Sequence, residues 1–259
     1  MTPDSPLLKL ACALAACLAC AQAAAAQGRP APLDRARQLI VVTTRDWDAV
    51  GGVLRRFERR GAGRAWTQVG ADVPVAVGRT GLAWGVGVAG AGPAGGPRKR
   101  EGDGKAPAGV FRLGRAFGFA PRAQAAWLRT PYTELTPTTE CVDDAASRHY
   151  NRIVDRAALK AADWKSSERM REVGGYRWGL VVEHNSAPPA AGLGSCIFLH
   201  VWAGPGVGTA GCTAMEQPSL EALLRWLAPA RRPLLVQLPE SEYARLRAAW
   251  RLPPAAGAR

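Results

Sequence analysis

The pattern of apolar and polar residues predicts a chain built mainly from short strands. Gln38–Thr44 is an apolar run rich in β-branched residues, and residues 176–184 and 196–202 are the clearest strand candidates later in the chain. Segments of this length and composition, bounded by turn residues, are typical of strands in a buried sheet. We also predict a strand or hairpin within 66–84, where glycines punctuate an alternating pattern, and strands at 110–113 and 234–238.

Helices are predicted at three places between these strands. Asp46 stands where it would cap a helix running to about residue 60. Leucines at helical spacing predict a second helix over 216–227, and Glu240–Trp250 is predicted to be a closing helix. Residues 88–108 are rich in glycine, proline and charge, which predicts a loop. We find no internal repeat, and this order of elements predicts a mainly β fold with a few helices, of the α+β class.

The amino terminus has the features of an export signal. Lys9 precedes an almost uninterrupted run of Leu, Ala and Cys over 10–26, which we interpret as a secretory signal peptide cut after Ala26. A second interpretation stays open, because LAAC at 14–17 resembles a lipoprotein cleavage box in which Cys17 would carry the lipid. No later segment offers about eighteen uninterrupted apolar residues, so no transmembrane span is expected. We therefore expect a periplasmic or secreted, wall-associated protein, with 27–37 as a linker.

Composition and charge bound the possible partners. A mature chain of roughly 230 residues suits one domain with a real core, and we expect a monomer. The formal net charge of +13 is unchanged by removal of the signal segment, which contains only Asp4 and Lys9 as charged side chains. A basic surface favours anionic partners such as cell-wall polymer, but the arginines are scattered, so general solvation is the simpler interpretation. A nucleic-acid partner is not expected.

Three cysteines remain once the signal segment is removed, namely Cys141, Cys196 and Cys212. In an oxidising compartment, cysteines pair into disulfides, so an odd number leaves at least one without a partner in the chain. The economical hypothesis pairs Cys141 with Cys196 and leaves Cys212 as a free, reactive thiol. The alternative is that Cys141 and Cys196 are small buried hydrophobic residues.

Residues 195–215, SCIFLHVWAGPGVGTAGCTAM, place a histidine and a cysteine at opposite ends of one loop. A thiol nucleophile needs a neighbour that takes its proton, so His200 and Cys212 are candidates for base and nucleophile. Gly211 permits an unusual turn at the cysteine, and the amides of Gly211 and Cys212 are candidates for contacts to an oxyanion. The alternative is a buried strand histidine beside a structural cysteine.

Other apparent motifs do not support a cofactor or metal. GVGVAG at 85–90 matches a bare dinucleotide pattern but is followed by AGPAGGP, which does not predict a helix. Gly104 and Lys105 lack the remaining residues of a phosphate loop. His149, His184, His200 and Cys212 offer no close pair with the spacing of zinc ligands. We expect neither a cofactor nor a metal site.

Four separated blocks together resemble the L,D-transpeptidase catalytic domain family, also called YkuD-like. They are KREGDGKAPAGVFRLG at 99–114, ECVDDAASRHYNRIVD at 140–155, EHN at 183–185, and GSCIFLH followed by TAGCTAM within 194–215. The resemblance implies a β-sandwich-like catalytic domain, which we place at 38–240, followed by a carboxy-terminal helix and tail at 241–259.

The resemblance further implies a cysteine acyltransferase acting on peptidoglycan stem tetrapeptides. By position it makes Cys212 the nucleophile, His200 the base and Val201 the residue whose carbonyl orients the imidazole. Trp202, His184 and Thr213 are candidate substrate contacts; the alternative is that Trp202 packs in the core and that His184 is a structural histidine, which is the simpler interpretation for His184. Two alternatives remain, a carboxypeptidase or amidase on the same scaffold and a non-catalytic wall-binding protein.

This chain departs from the family pattern at two positions beside the cysteine. Members commonly have a histidine just before the Gly-Cys pair and an arginine two places after the cysteine, where this chain has Ala210 and Ala214. Loss of the arginine removes a cation able to hold a substrate carboxylate, which implies an altered donor or acceptor preference. The basic residues of the Gly-rich loop could replace it; these are Arg98, Lys99, Arg100 and Lys105.

Overall fold

A computed structural model describes residues 31–61 and 63–254 of the protein, and the described residues from Pro32 onward form one compact unit. The signal peptide expected at 1–26, with Cys17, lies outside the described residues. Within the described ranges, no helix combines the length and the apolar character that crossing a bilayer requires.

Thirteen strands and two α-helices make up the described part of the chain. The strands are β1 (Gln38–Thr44), β2 (Gly51–Glu58), β3 (Thr67–Ala76), β4 (Leu82–Trp84), β5 (Ala106–Gly118), β6 (Tyr132–Glu134), β7 (Thr139–Val142), β8 (Arg152–Asp155), β9 (Ser167–Arg169), β10 (Trp178–Val182), β11 (Phe198–Val201), β12 (Thr213–Met215) and β13 (Leu234–Pro239). The helices are α1 (Gln217–Trp226) and α2 (Glu240–Trp250). This content confirms the predicted mainly β fold with a few helices.

Most of the strands belong to one sheet that closes on itself. Its order is β10-β11-β12-β3-β2-β1-β13-β5, and β5 also pairs with β10, which completes the ring. The thirteen residues of β5 are long enough to serve both neighbours, with Leu234–Gln237 along its first part and Trp178–Val182 along its second. The expected β-sandwich is thus one sheet curled around a shared apolar core.

The helix predicted to begin at Asp46 is wrong, because the chain there forms a hairpin. The Asp46 carboxylate accepts hydrogen bonds from the amides of Asp48 and Ala49, so it caps a turn rather than a helix. The chain then enters β2, which pairs antiparallel with β1 along its length. At Gly52 a Cβ would lie 2.8 Å from the Thr43 carbonyl oxygen, so the close approach of the two strands requires glycine.

Both ends of the described domain pack onto the sheet. Residues 31–37, expected to be a linker, instead bury Leu33 and Ala36, and the Arg59 guanidinium donates to the carbonyls of both residues. At the other end, α2 forms over the predicted residues and buries Tyr243 and Leu246.

A small second sheet of order β8-β7-β9 lies outside the ring. A disulfide joins Cys141 in β7 to Cys196, two residues before β11, so this small sheet is covalently attached at the start of a ring strand. A second apolar cluster gathers residues from both sheets: Phe117, Leu135, Cys141, Met170, Tyr176, Phe198 and Cys212. The small sheet therefore packs where Cys212 lies.

Candidate active site

Parallel pairing of β11 with β12 places His200 and Cys212 on the same face of the ring. Leu199 pairs with Thr213 and His200 with Ala214, so Cys212 lies level with Phe198, whose amide donates to the Cys212 Sγ at 3.3 Å. Side chains alternate between the two faces of a strand, so His200 shares the face of Phe198 and Cys212. The histidine and cysteine thus lie on neighbouring strands, two residues apart in register.

The His200 ring is oriented by its own strand. Its Nδ1 lies 2.8 Å from the Val201 carbonyl oxygen. A carbonyl only accepts, so Nδ1 carries the hydrogen and Nε2 is the nitrogen able to take a proton. Burial lowers the pKa of His200 from its usual 6.5, and the contact to the Val201 carbonyl opposes that shift. His200 is therefore neutral at pH 7, which is the form a general base needs.

Gly175 makes room for this arrangement. A Cβ at this position would lie 2.5 Å from the Val201 oxygen and 3.1 Å from His200 Nδ1. Any side chain at 175 would therefore push against the ring and against the carbonyl that holds it.

The Cys212 thiol is free of disulfides and almost fully enclosed, with 6% of the residue exposed. Its Sγ donates to the Cys196 carbonyl at 3.5 Å and accepts from the Phe198 amide. Burial, with a smaller contribution from the Glu168 carboxylate, raises the pKa of Cys212 to about 12, although the Phe198 amide, Tyr176 and Lys99 act in the opposite direction. The resting state is a protonated thiol.

Tyr176 packs directly against His200. Its ring packs edge-on against His200 and against Phe198, with centroid separations of 5.3 and 5.5 Å. Its hydroxyl donates to Glu168 Oε2 at 2.8 Å. One buried aromatic side chain thus touches the histidine and a carboxylate, in the apolar cluster that also contains Cys212.

A short turn at Thr209–Cys212 presents the cysteine. Thr209 Oγ1 donates to the Cys212 carbonyl at 2.7 Å and accepts from the Gly211 amide at 3.1 Å. A Cβ at Gly211 would lie 3.1 Å from the Lys105 carbonyl oxygen. Glycine therefore allows this turn to lie close to the backbone at Lys105. The expected contact of the Gly211 amide to an oxyanion would therefore require this bond to Thr209 to be exchanged.

Two of the three expected substrate contacts have their side-chain polar atoms bonded within the protein. Thr213 is buried and donates to Gln237 Oε1 at 2.7 Å, on the opposite face of β12 from Cys212. His184 is also buried, with Nδ1 accepting from the Val86 amide and Nε2 donating to the Leu193 carbonyl. Its burial lowers its pKa to about 4, so it is neutral. Trp202 is half-buried just beyond His200, on the same face by alternation.

The basic residues of the Gly-rich loop are mostly engaged within the protein. Arg98 donates to the carbonyls of Ala91 and Pro93, and Lys105 pairs with Asp48. Lys99 is buried and donates to Asp103 Oδ1 at 2.6 Å. Of this group, Arg100 is the exposed member whose side chain has no such contact among the described residues. No group of three His, Cys, Asp or Glu side chains within those residues is arranged to hold a metal ion.

Sequence reasoning missed Glu168, Gly175 and Tyr176. They lie in 167–177, where a three-residue strand and two 3₁₀ turns follow one another and give no clear periodicity. Their roles depend on contacts to β11 and β12, which are far along the chain.

Comparison with protein families gives one match. The family model described as the L,D-transpeptidase catalytic domain, YkuD, matches residues 59–236. This span contains His200, Cys212 and the residues around them. No curated protein and no solved structure matches the chain.

Proposed function

Because the chain belongs to the L,D-transpeptidase catalytic domain family, whose members act on peptidoglycan, we propose that it transfers stem-peptide acyl groups through a thioester on Cys212. The observation that carries this proposal is the shared face of β11 and β12, which brings a neutral, oriented imidazole to the side of the sheet that holds the thiol.

The proposed reaction begins when the Cys212 thiol loses its proton and His200 Nε2 accepts it. The thiolate attacks the carbonyl of the third residue of a stem tetrapeptide, at its bond to the terminal D-alanine. The tetrahedral oxyanion receives a hydrogen bond from the Cys212 amide, since the Gly211 amide is already bonded to Thr209. Collapse breaks the C–N bond, His200 protonates the departing D-alanine amine, and a thioester remains on Cys212.

An amine of a second stem peptide then attacks the thioester and restores the thiol, which forms a cross-link. Water in place of the amine gives a shortened monomer, so the same site would then act as a carboxypeptidase. We place this reaction outside the cytoplasm, in the periplasm or at the cell wall, where the signal segment would deliver the chain. Trp202 is the proposed wall of the peptide groove, because it is partly exposed beside His200.

The test is to incubate the full chain with purified tetrapeptide muropeptides and to analyse the products by mass spectrometry. New dimers that lack one D-alanine support transfer, and shortened monomers alone support hydrolysis instead. We expect Cys212→Ala to abolish both products and to lose the covalent adduct with a carbapenem. An adduct that persists in Cys212→Ala would refute Cys212 as the nucleophile. Thr213→Ser is a matched control, because it keeps the hydroxyl bonded to Gln237 in the neighbouring residue.

A further inference from the structure

We propose that Asn151 is a positioning residue for Cys212, because it binds the amide of Cys196, whose carbonyl accepts the hydrogen of the Cys212 thiol. This inference rests on the proposed function in taking Cys212 as the nucleophile. Asn151 lies directly before β8, which belongs to the small sheet outside the ring. The small sheet would thus hold the sulfur through one intermediate residue.

Two hydrogen bonds connect Asn151 to the sulfur. Asn151 Oδ1 accepts from the Cys196 amide at 2.9 Å, and the Cys212 Sγ donates to the Cys196 carbonyl at 3.5 Å. Phe198 follows in the same segment, and its amide donates to the sulfur at 3.3 Å. The thiol is therefore held between an acceptor and a donor that both belong to residues 196–198. The position of this segment sets where the sulfur lies.

Cys196 has a backbone conformation that needs support from its surroundings. Its φ is +54°, in the left-handed region that residues other than glycine, asparagine and aspartate rarely adopt. Such a conformation persists where neighbouring groups fix it. Here Asn151 holds the amide of Cys196, and the disulfide to Cys141 holds its side chain. Without Asn151 the first restraint is lost, and the Cys196 carbonyl is able to turn away from the thiol.

Asn151 is itself fixed in the orientation that this role requires. Its Nδ2 donates to the carbonyls of His184 and Asn185 at 2.9 and 2.7 Å, which directs Oδ1 toward Cys196. Its own amide donates to the Val142 carbonyl at 2.8 Å, at the end of β7. The polar atoms of the side chain are thus all bonded within the protein, so Asn151 holds its neighbours in place.

The residues that precede Asn151 and Cys196 are joined as well. Tyr150 and Ser195 each donate a hydrogen bond to Glu101 Oε2. Two successive residues of one segment therefore meet two successive residues of the other, once directly and once through Glu101. This second link and the disulfide keep the segments together when Asn151 is replaced, so we expect an Asn151 variant to fold.

Electrostatics alone predicts the opposite effect from positioning. The hydrogen bond to the Cys196 carbonyl favours the protonated thiol, so its loss by itself would ease proton transfer to His200 and speed the reaction. If Asn151 fixes the sulfur, its loss instead slows thioester formation, because the sulfur no longer lies where the substrate carbonyl meets it. The two accounts therefore differ in the sign of the change in rate.

The experiment compares Asn151→Gly with the matched control Asn185→Gly in the full chain. Each asparagine makes three side-chain hydrogen bonds among the described residues. Each also has a positive φ, so glycine removes the same number of bonds without straining the backbone. Of the two side chains, that of Asn151 binds Cys196, whereas that of Asn185 binds Ala190 and Gly194.

The first readout is the infrared S–H stretch of Cys212, isolated as the difference from the same chain carrying Cys212→Ala. A thiol that loses its hydrogen-bond acceptor absorbs at a higher wavenumber. We expect the band to move to higher wavenumber in Asn151→Gly and to keep the wild-type position in Asn185→Gly.

The second readout is the rate of thioester formation with a carbapenem, followed by mass spectrometry. We expect Asn151→Gly to lower the maximal rate about tenfold, with little change in the carbapenem concentration that gives half of that rate. Asn185→Gly should keep the wild-type values of both.

An unshifted band in Asn151→Gly overturns the proposal, and so does an unchanged or faster rate of thioester formation. An equal shift in Asn185→Gly also overturns it. If Asn151→Gly does not fold, as judged by its thermal transition, Asn151→Ser takes its place under the same outcomes, because its shorter side chain ends before the Cys196 amide. The infrared readout needs no substrate, so a wild-type chain that forms no thioester, together with a shifted band in the variant, refutes only the proposed function.

Discussion

Replacement of Gly175 by alanine tests whether the position of His200 controls the reaction. The new Cβ would lie 2.5 Å from the Val201 oxygen and 3.1 Å from His200 Nδ1. An ordinary C···O approach is about 3.3 Å, so the backbone and the ring must separate by about 0.8 Å. A displacement near 1 Å at a catalytic group costs about 100-fold in rate, whereas overpacking costs about 1–3 kcal/mol of stability.

Gly174 supplies the matched control for this prediction. A Cβ at Gly174 meets no atom within 4 Å, and the residue is exposed. We expect Gly174→Ala to retain wild-type kcat/KM for thioester formation and Gly175→Ala to lose about 100-fold. Both rates are measured by mass spectrometry of the carbapenem adduct, with thermal unfolding in parallel. Equal rates in the two folded variants would refute the assignment of His200 as the base.

Two further predictions concern stability. The folded-state pKa of His184, about 4, lies below its usual 6.5, so its contribution to stability is complete above 6.5 and is lost as the pH falls toward 4. We expect the free energy of unfolding of the wild type to fall by about 3 kcal/mol more than that of His184→Gln over this range, measured by denaturant titration; parallel curves would contradict this account. The Cys141–Cys196 disulfide spans a sequence separation of 55, and we expect the double variant Cys141→Ala, Cys196→Ala to be less stable by about 4 kcal/mol on the loop-entropy estimate. An unchanged denaturation midpoint would show that the small sheet holds its place without the bond.

Sequence pattern predicted the elements whose signal is local. The β-branched run of Gln38–Thr44 forms β1, and the leucine spacing before residue 227 forms α1, because each apolar face is specified by neighbours in the chain. The hairpin at Asp46 was mispredicted for the same reason. Aspartate caps both the start of a helix and a hairpin turn. The pairing of β2 with β1 decides between these two structures, and it is not encoded in the local sequence.

The site was predictable only in part. The nucleophile and base candidates lie at the two ends of one loop, so their residue types and spacing point to them. Thr213 directly follows Cys212 in the sequence, but alternation along β12 turns its side chain to the opposite face, where it bonds to Gln237. Glu168, Gly175 and Tyr176 reach the site from a separate segment, and their contacts follow from the way the small sheet packs against β11.

The enclosure of Cys212 has a consequence for the durability of the enzyme. With a pKa of about 12, the fraction of sulfur present as thiolate at pH 7 is on the order of 1 in 100,000. Peroxides attack thiolates, so a resting molecule offers them almost nothing to convert to sulfenic acid. A proposed nucleophile enclosed in this way stays chemically intact until a substrate enters the site.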